Sequence, residues 1–203
     1  MKRFSQFIAE EEAKKPVVFA FGRMNPPTTG HEVLVNKVKD LASQHGAHHE
    51  IVLSHSQDKD KNPLSPEQKV KHAKRFFPNT NISSASKEAP TLIHHATRLN
   101  KAGHDHLIMV AGSDRVPEYK KLLDTYNGKP DKSGKVNFNY KKISVVSAGD
   151  RDPDSDSVSG MSASKMRQHA KNNDYKSFKQ GIPSHVSDNH AKELFSDVQN
   201  GMK

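Results

Sequence analysis

Val17-Val18-Phe19-Ala20-Phe21-Gly22-Arg23-Met24-Asn25-Pro26-Pro27-Thr28-Thr29-Gly30-His31 is the stretch on which the fold turns. Its first five residues are apolar without a polar break. Such a run suits a strand covered on both faces, as in a parallel sheet, better than one with a solvated side. Val33, Leu34, Val38 and Leu41 then recur at helical spacing and predict a helix over about 30–44, closed by Gly46. A turn from a buried strand into a helix start can bring backbone close to a ligand. Gly22 and Gly30 have no Cβ to obstruct the approach, and the helix start offers unpaired N–H groups and the positive end of its dipole to a phosphate. His31 and Thr28 stand beside it as further donors. Taken alone, the stretch also reads as a proline-rich loop with a capping threonine and a surface histidine.

Working outward, the chain alternates between strand-like and helix-like patterns. Strands are predicted at 49–54, 81–85, 106–111 and 143–147. Helices are predicted from Ser65-Pro66 to Phe77, over 91–101 before Gly103, and over 117–126. Strand and helix in alternation, with short links, give an α/β fold: a Rossmann-like, doubly wound parallel sheet of about five strands. Helices near 162–172, 174–180 and 186–200 follow it. The polar segment 127–141 alternates at Val136-Asn137-Phe138-Asn139-Tyr140 and reads as an excursion built on a hairpin.

A second segment repeats the logic of the first. Ser162-Ala163-Ser164-Lys165-Met166-Arg167 opens a helix, with Ser162 as a good N-cap and Ser164 placing a hydroxyl in the first turn. Lys165 and Arg167 add positive charge, and arginine can bind two phosphate oxygens at once. A capped helix with basic residues on its exposed face is the plainer reading. Gly112-Ser113-Asp114 directly follows the strand 106–111, at a carboxyl end where parallel sheets bind ligands. Asp114 is there either a ligand group or the cap of the next helix.

The two segments together resemble the nucleotidylyltransferase superfamily, whose marks are an (H/T)xGH turn and an SxTxxR helix start. The resemblance spans about residues 16–185. Thr28 and His31 match the first mark, and Ser164 and Arg167 take the threonine and arginine places of the second. Gly22-Arg23 with Pro26 is similar to the G-R-F-Q-P form of archaeal-type nicotinamide mononucleotide adenylyltransferases. Met24 and Asn25 depart from it, and Thr28 follows the phosphopantetheine adenylyltransferases.

The resemblance implies an enzyme that transfers AMP from ATP to a phosphorylated acceptor, nicotinamide mononucleotide first, releasing pyrophosphate. Cytidylyl transfer from CTP to a phosphorylated alcohol is the alternative within the class. It implies His31, Thr28 and Arg167 as catalytic groups, and Gly22, Arg23, Gly30, Ser162, Ser164, Lys165 and Asp114 as nucleotide-binding ones. Mg²⁺ is expected to arrive with the nucleotide, without a dedicated protein site.

Composition narrows the classes. The chain has 203 residues, 33% hydrophobic, and a mean hydropathy of −0.85, so its core rests on a few apolar runs. No run approaches the roughly 20 residues of a membrane span, and Lys2-Arg3 lacks the apolar region of a secretory signal. A cytoplasmic location and a small-molecule partner follow as expectations, with self-association left open. A net charge of +9 favours polyanions, yet the basic residues are scattered and not interleaved with aromatics, which makes nucleic acid a poor partner.

Thirteen histidines and no cysteine invite a metal reading. His48-His49 and His94-His95 are adjacent pairs pointing apart, Gly46 separates His45 from His49, and no H-E-x-x-H occurs. Asp150, Asp152, Asp154 and Asp156 begin like a calcium loop, but Ser155 and Met161 hold the places of its glycine and glutamate. The stretch reads as an acidic loop that closes over the nucleotide. Residues 1–15 read as a leader or docking segment. Ile8-Ala9-Glu10 in it resembles sites cut by the prohead proteases of tailed phages, the one support for a non-catalytic, structural role in a phage particle.

Overall fold

The computed structural model describes residues 15–149 and 161–203. The leader up to residue 14 and the acidic loop at 150–156 therefore lie outside the described residues. Chain order gives β1 (Pro16–Gly22), α1 (Glu32–His45), β2 (His48–Leu53), α2 (Pro66–Phe76), β3 (Ile82–Ser84), α3 (Leu92–Lys101), β4 (His106–Ala111), α4 (Val116–Tyr126) and β5 (Lys142–Ser147). α5 (Ala163–Lys171), α6 (Tyr175–Lys179) and α7 (Asp188–Gly201) complete it. Among the described residues no helix is long and apolar enough to cross a membrane.

The sheet runs β3-β2-β1-β4-β5, and every pairing in it is parallel. Alternate residues of β1 feed two separate cores, which is why its apolar run has no gaps. Val18 and Ala20 pack with Ile51, Ile108 and Val110 under α1, α2 and the C-terminal helices. Val17 and Phe19 pack with Val52, Leu107 and Met109 under α3 and α4. This is the doubly wound arrangement. After β3 the chain crosses back over β2 and β1 to lay β4 on β1's other side, so the strand order reverses between β1 and β4. The loops leaving those two strands diverge and leave a crevice at their carboxyl ends.

Local chemistry sets the helix ends. Gly46 closes α1 with φ at 55°, a left-handed conformation that glycine adopts without steric cost. Ser65 opens α2: its hydroxyl accepts from the Gln68 N–H, and the Gln68 side chain accepts from the Ser65 N–H. This capping box satisfies two otherwise orphaned donors. Ser65→Ala is expected to cost about 1 kcal/mol of unfolding free energy, read by urea denaturation.

The hairpin expected within 127–141 is not formed. Only two isolated bridges occur there, Asn127 with Phe138 and Pro130 with Val136. The Asp131 carboxylate gathers the N–H groups of Ser133 and Lys135 into a turn, and the Asn127 side chain clasps both N–H and C=O of Tyr140. The alternation has a different cause: Phe138 and Tyr140 are driven into the core, and the Tyr140 hydroxyl donates to the Ala96 carbonyl at 2.6 Å.

A buried histidine, His95, and a partly buried one, His49, make the fold sensitive to acid. His95 packs against Phe19 and Phe21, and His49 stacks on His48. Burial, and for His49 the neighbouring His48 and Lys39, push both rings below the ordinary histidine range. The unfolded chain then takes up protons first as pH falls below about 6.5, so stability declines there. The carboxylates held low, such as Asp58 and Asp131 at about 2, lose their contribution only in stronger acid. The melting temperature at pH 5.5 is therefore expected below that at pH 7.5, with a smaller difference in His49→Asn.

Candidate functional site

A cavity of about 700 Å³ opens at the reversal point, within the range of small-molecule sites. Its walls come from the end of β1, the loop after β2, the end of β4 and the start of α5. Each wall brings chemistry that the local sequence explains.

From β1, Gly22 and Arg23 line the cavity. A Cβ built on Gly22 meets no protein atom within 4 Å, so protein packing alone does not demand glycine there. Met24 follows at φ 40°, an uncommon conformation for a non-glycine residue, and its side chain is buried. Asn25 is buried too: its side-chain amide donates to the Leu64 carbonyl at 3.1 Å and accepts from the Leu64 N–H at 3.0 Å. Thr28 is fully buried. It does not line the cavity; its N–H donates to His31 Nδ1 at 3.1 Å and its hydroxyl lies 3.0 Å from the same nitrogen. Accepting at Nδ1 places the neutral ring's proton on Nε2. His31 is only 6% exposed and forms part of the cavity wall beside the start of α1. Gly30 lies in the single turn Thr29–His31 before α1.

From α5, Ser162, Ser164 and Arg167 line the cavity. Ser162 caps the helix, its hydroxyl accepting from the Lys165 N–H at 3.1 Å. Lys165 contributes that N–H and is not part of the cavity wall. Arg167 donates to the Asn25 carbonyl at 2.8 Å, which ties the two sequence motifs together directly. Burial, and then the positive charge of Arg23, push Arg167 below its ordinary value, partly offset by Asp58. Two guanidiniums held near each other repel, and an anion between them removes the repulsion.

From β4, Asp114 lines the cavity with its carboxylate well exposed. It caps nothing: Gly112 and Arg115 hold the two N-cap positions there, and neither helix start has a side-chain cap. A Cβ on Gly112 would lie 2.8 Å from Asp114 Oδ1, the far end of an exposed side chain with room to swing aside. Arg115 is occupied by Glu118 at 2.5 Å. Tyr119 donates to the Phe21 carbonyl at 3.4 Å, and burial raises its phenol.

Lys61 is the cation that sequence reading passed over. It lines the cavity from the loop after β2, where Asp58 Oδ1 accepts from the N–H groups of Asp60, Lys61 and Asn62. Those bonds, the one from Lys61 first, hold the Asp58 carboxyl down at about 2. The spacing Asp58-x-Asp60-x-Asn62 is a turn signature, but nothing in it says that the turn faces a site. Lys69 is fully buried. Its ammonium donates to the carbonyls of Ser54 and Ser56 beyond β2, and burial pushes it down to about 8.

Among the described residues no group of three histidines or carboxylates is placed to hold a metal. The arrangement is instead suited to a polyphosphate. Two helix starts, those of α1 and α5, open on one cavity together with Arg23, Lys61 and Arg167.

Comparison with known proteins agrees with this fold. No curated protein matches the chain. Among solved structures, the crystal structure of Thermotoga maritima TmcAL bound with alpha-thio ATP is similar, with a TM-score of 0.56 at 9% identity. The match covers 92% of this chain and 57% of that one, so the chain spans little more than half of that protein's length, and the likeness is one of fold. The cytidylyltransferase-like family model matches residues 19–179, from within β1 to the end of α6, and so takes in both helix starts of the cavity. By that match the chain belongs to the cytidylyltransferase-like family of nucleotidyltransferases.

Proposed function

We propose that the protein transfers AMP from ATP to a phosphorylated acceptor, with nicotinamide mononucleotide as the first candidate. The observation that carries this reading is the meeting of two helix starts with Arg23 and Arg167 on one cavity at the reversal point of the sheet. An oxygen of the acceptor's phosphate attacks the α-phosphorus. The bond from that phosphorus to the oxygen bridging it to the β-phosphate breaks, and pyrophosphate leaves with the electron pair.

No protein nucleophile is required, so catalysis consists of positioning and charge stabilisation. His31 donates from Nε2 to an α-phosphate oxygen, and Thr28 positions the ring. Ser164, Arg167 and the first-turn N–H groups of α5 hold the β- and γ-phosphates. Arg23 and Lys61 receive the acceptor's phosphate, and Asp114 faces the base or sugar. Gly22 leaves room for the phosphates to approach the backbone. Mg²⁺ would come with the nucleotide, since among the described residues no group of carboxylates or histidines is placed to hold it, and when bound it would neutralise charge on the leaving group.

The alpha-thio ATP in TmcAL accords with ATP as donor, whereas the family description favours CTP and a phosphorylated alcohol. Pyrophosphate release decides between them, measured with either nucleotide and Mg²⁺ against a panel of phosphorylated acceptors. ATP- and nicotinamide mononucleotide-dependent release is expected. Release with CTP alone transfers the assignment to the cytidylyl reaction, and binding of nucleotide without release from any pair leaves a non-catalytic role.

A further inference from the structure

The loop that carries Lys61 is held from two sides, and the outer brace comes from the far end of the chain's last helix. On the inner side, Asn25 clasps Leu64 through both atoms of its amide and receives Arg167 on its carbonyl. On the outer side, the last residue of α7 lies directly against Pro63. A Cβ built on Gly201 would fall 2.0 Å from the Pro63 carbonyl oxygen and 2.6 Å from its carbon. Real atoms do not approach so closely, so only glycine permits this contact. Lys59, in the same loop, donates to the Lys203 carbonyl at 2.6 Å.

α7 is itself a firm support. Leu194 and Val198 are fully buried in the core. Its polar side is tied to α2 by His72 with Asp197, and by Lys71 and Arg75 with Glu193. The helix is thus fixed to the element that follows the loop, and its end fixed to the loop.

We infer that Gly201 is a positioning residue: the glycine end of α7 sets the height of the loop Asp58–Leu64, and through it the reach of Lys61 to the acceptor's phosphate. This rests on the acceptor role of Lys61 proposed above. The close approach at Gly201 serves no other evident need, since helix ends tolerate most residues and its φ is not in the left-handed range.

Gly201→Val pushes Pro63 outward. The expected result is a rise of about tenfold in the acceptor's KM with the nucleotide's KM unchanged, the size of one lost charge-assisted contact. Lys61→Ala should give a similar rise, and the double variant no further one, because both remove the same contact. Lys59→Ala, on an exposed side chain that does not endanger folding, should move the acceptor's KM in the same direction by less. An equal rise in both KM values, or additive effects of Gly201→Val and Lys61→Ala, would overturn the inference.

If the wild type turns over no pair in the panel, the proposed function fails, and amide exchange of residues 58–64 decides the inference separately. Faster exchange there in Gly201→Val, with β4 unchanged, supports the brace. Unchanged exchange removes it.

Discussion

Replacing His31 by alanine is expected to lower pyrophosphate release by about two to three orders of magnitude, the usual cost of removing a preorganised donor at a developing charge. The ring is almost wholly enclosed, at 6% exposure, and it cannot turn without giving up the Thr28 N–H on Nδ1. The ring is therefore held in one orientation before substrate arrives, as a preorganised donor must be. Alanine also strands the Thr28 N–H in a buried place, which costs about 1–3 kcal/mol of stability. Melting temperature and turnover should accordingly be measured together. A moderate fall in the first with near-total loss of the second is the expected pattern. Thr28→Val separates the two roles of the turn. It deletes the hydroxyl but keeps the N–H bond, so a loss of no more than about tenfold is expected. A loss as large as that of His31→Ala would mean that Thr28 itself meets the phosphates.

Arg167→Ala is expected to cost about two to three orders of magnitude in kcat/KM while leaving the folded protein nearly as stable. Arg167 is half-buried, shares the cavity with the like charge of Arg23, and is held by a bond to the Asn25 carbonyl. Removing it loses that bond and relieves the repulsion, and the two effects offset each other in the free protein. In the substrate complex nothing offsets the loss, because a bidentate contact to phosphate is gone. Arg167→Lys restores charge without the planar fork, so it should recover only part of the activity. Adding inorganic pyrophosphate should raise the wild type's melting temperature more than that of Arg167→Ala, since ligand bound to the native state stabilises it by mass action. An equal shift in both would remove Arg167 from the phosphate site.

Much of the fold is legible in local sequence because local physics decides it. Val17–Phe21 has to be covered on both faces. Gly46 is where α1 stops, because its backbone turns left-handed there. Ser65 and Ser162 cap the helices they begin, by hydroxyl bonds to N–H groups three residues on. The excursion 127–141 carries the alternation of a hairpin without forming one, because alternation reports only that every second residue is buried. Here Phe138 and Tyr140 reach the core one by one from a loop, without a ladder.

The site divides in the same way. Gly22, Arg23, His31, Asp114, Ser162, Ser164 and Arg167 are brought to one cavity, and each stands in a motif or at a strand end that can be read locally. Thr28, Gly30 and Lys165 belong to the same motifs but stand behind the cavity wall. A motif specifies neighbours along the chain, whereas the direction of each side chain depends on what packs behind it. Lys61 and Lys69 show this most plainly. In sequence both are lysines of a polar stretch. One is held over the cavity by the Asp58 turn and the end of α7, and the other is sealed beneath β2 with its ammonium on two carbonyls.

The sequence by itself thus determined the strand and helix order, the parallel sheet and the two helix starts that open on the cavity, because these follow from periodicity, capping and the absence of Cβ at a few glycines. Only the tertiary structure decided which cations share the cavity and that the far end of α7 rests against the loop of Lys61. Those depend on contacts between residues as much as 144 positions apart, as Lys59 and Lys203 are. Contacts at such separation leave no trace in the spacing of either segment.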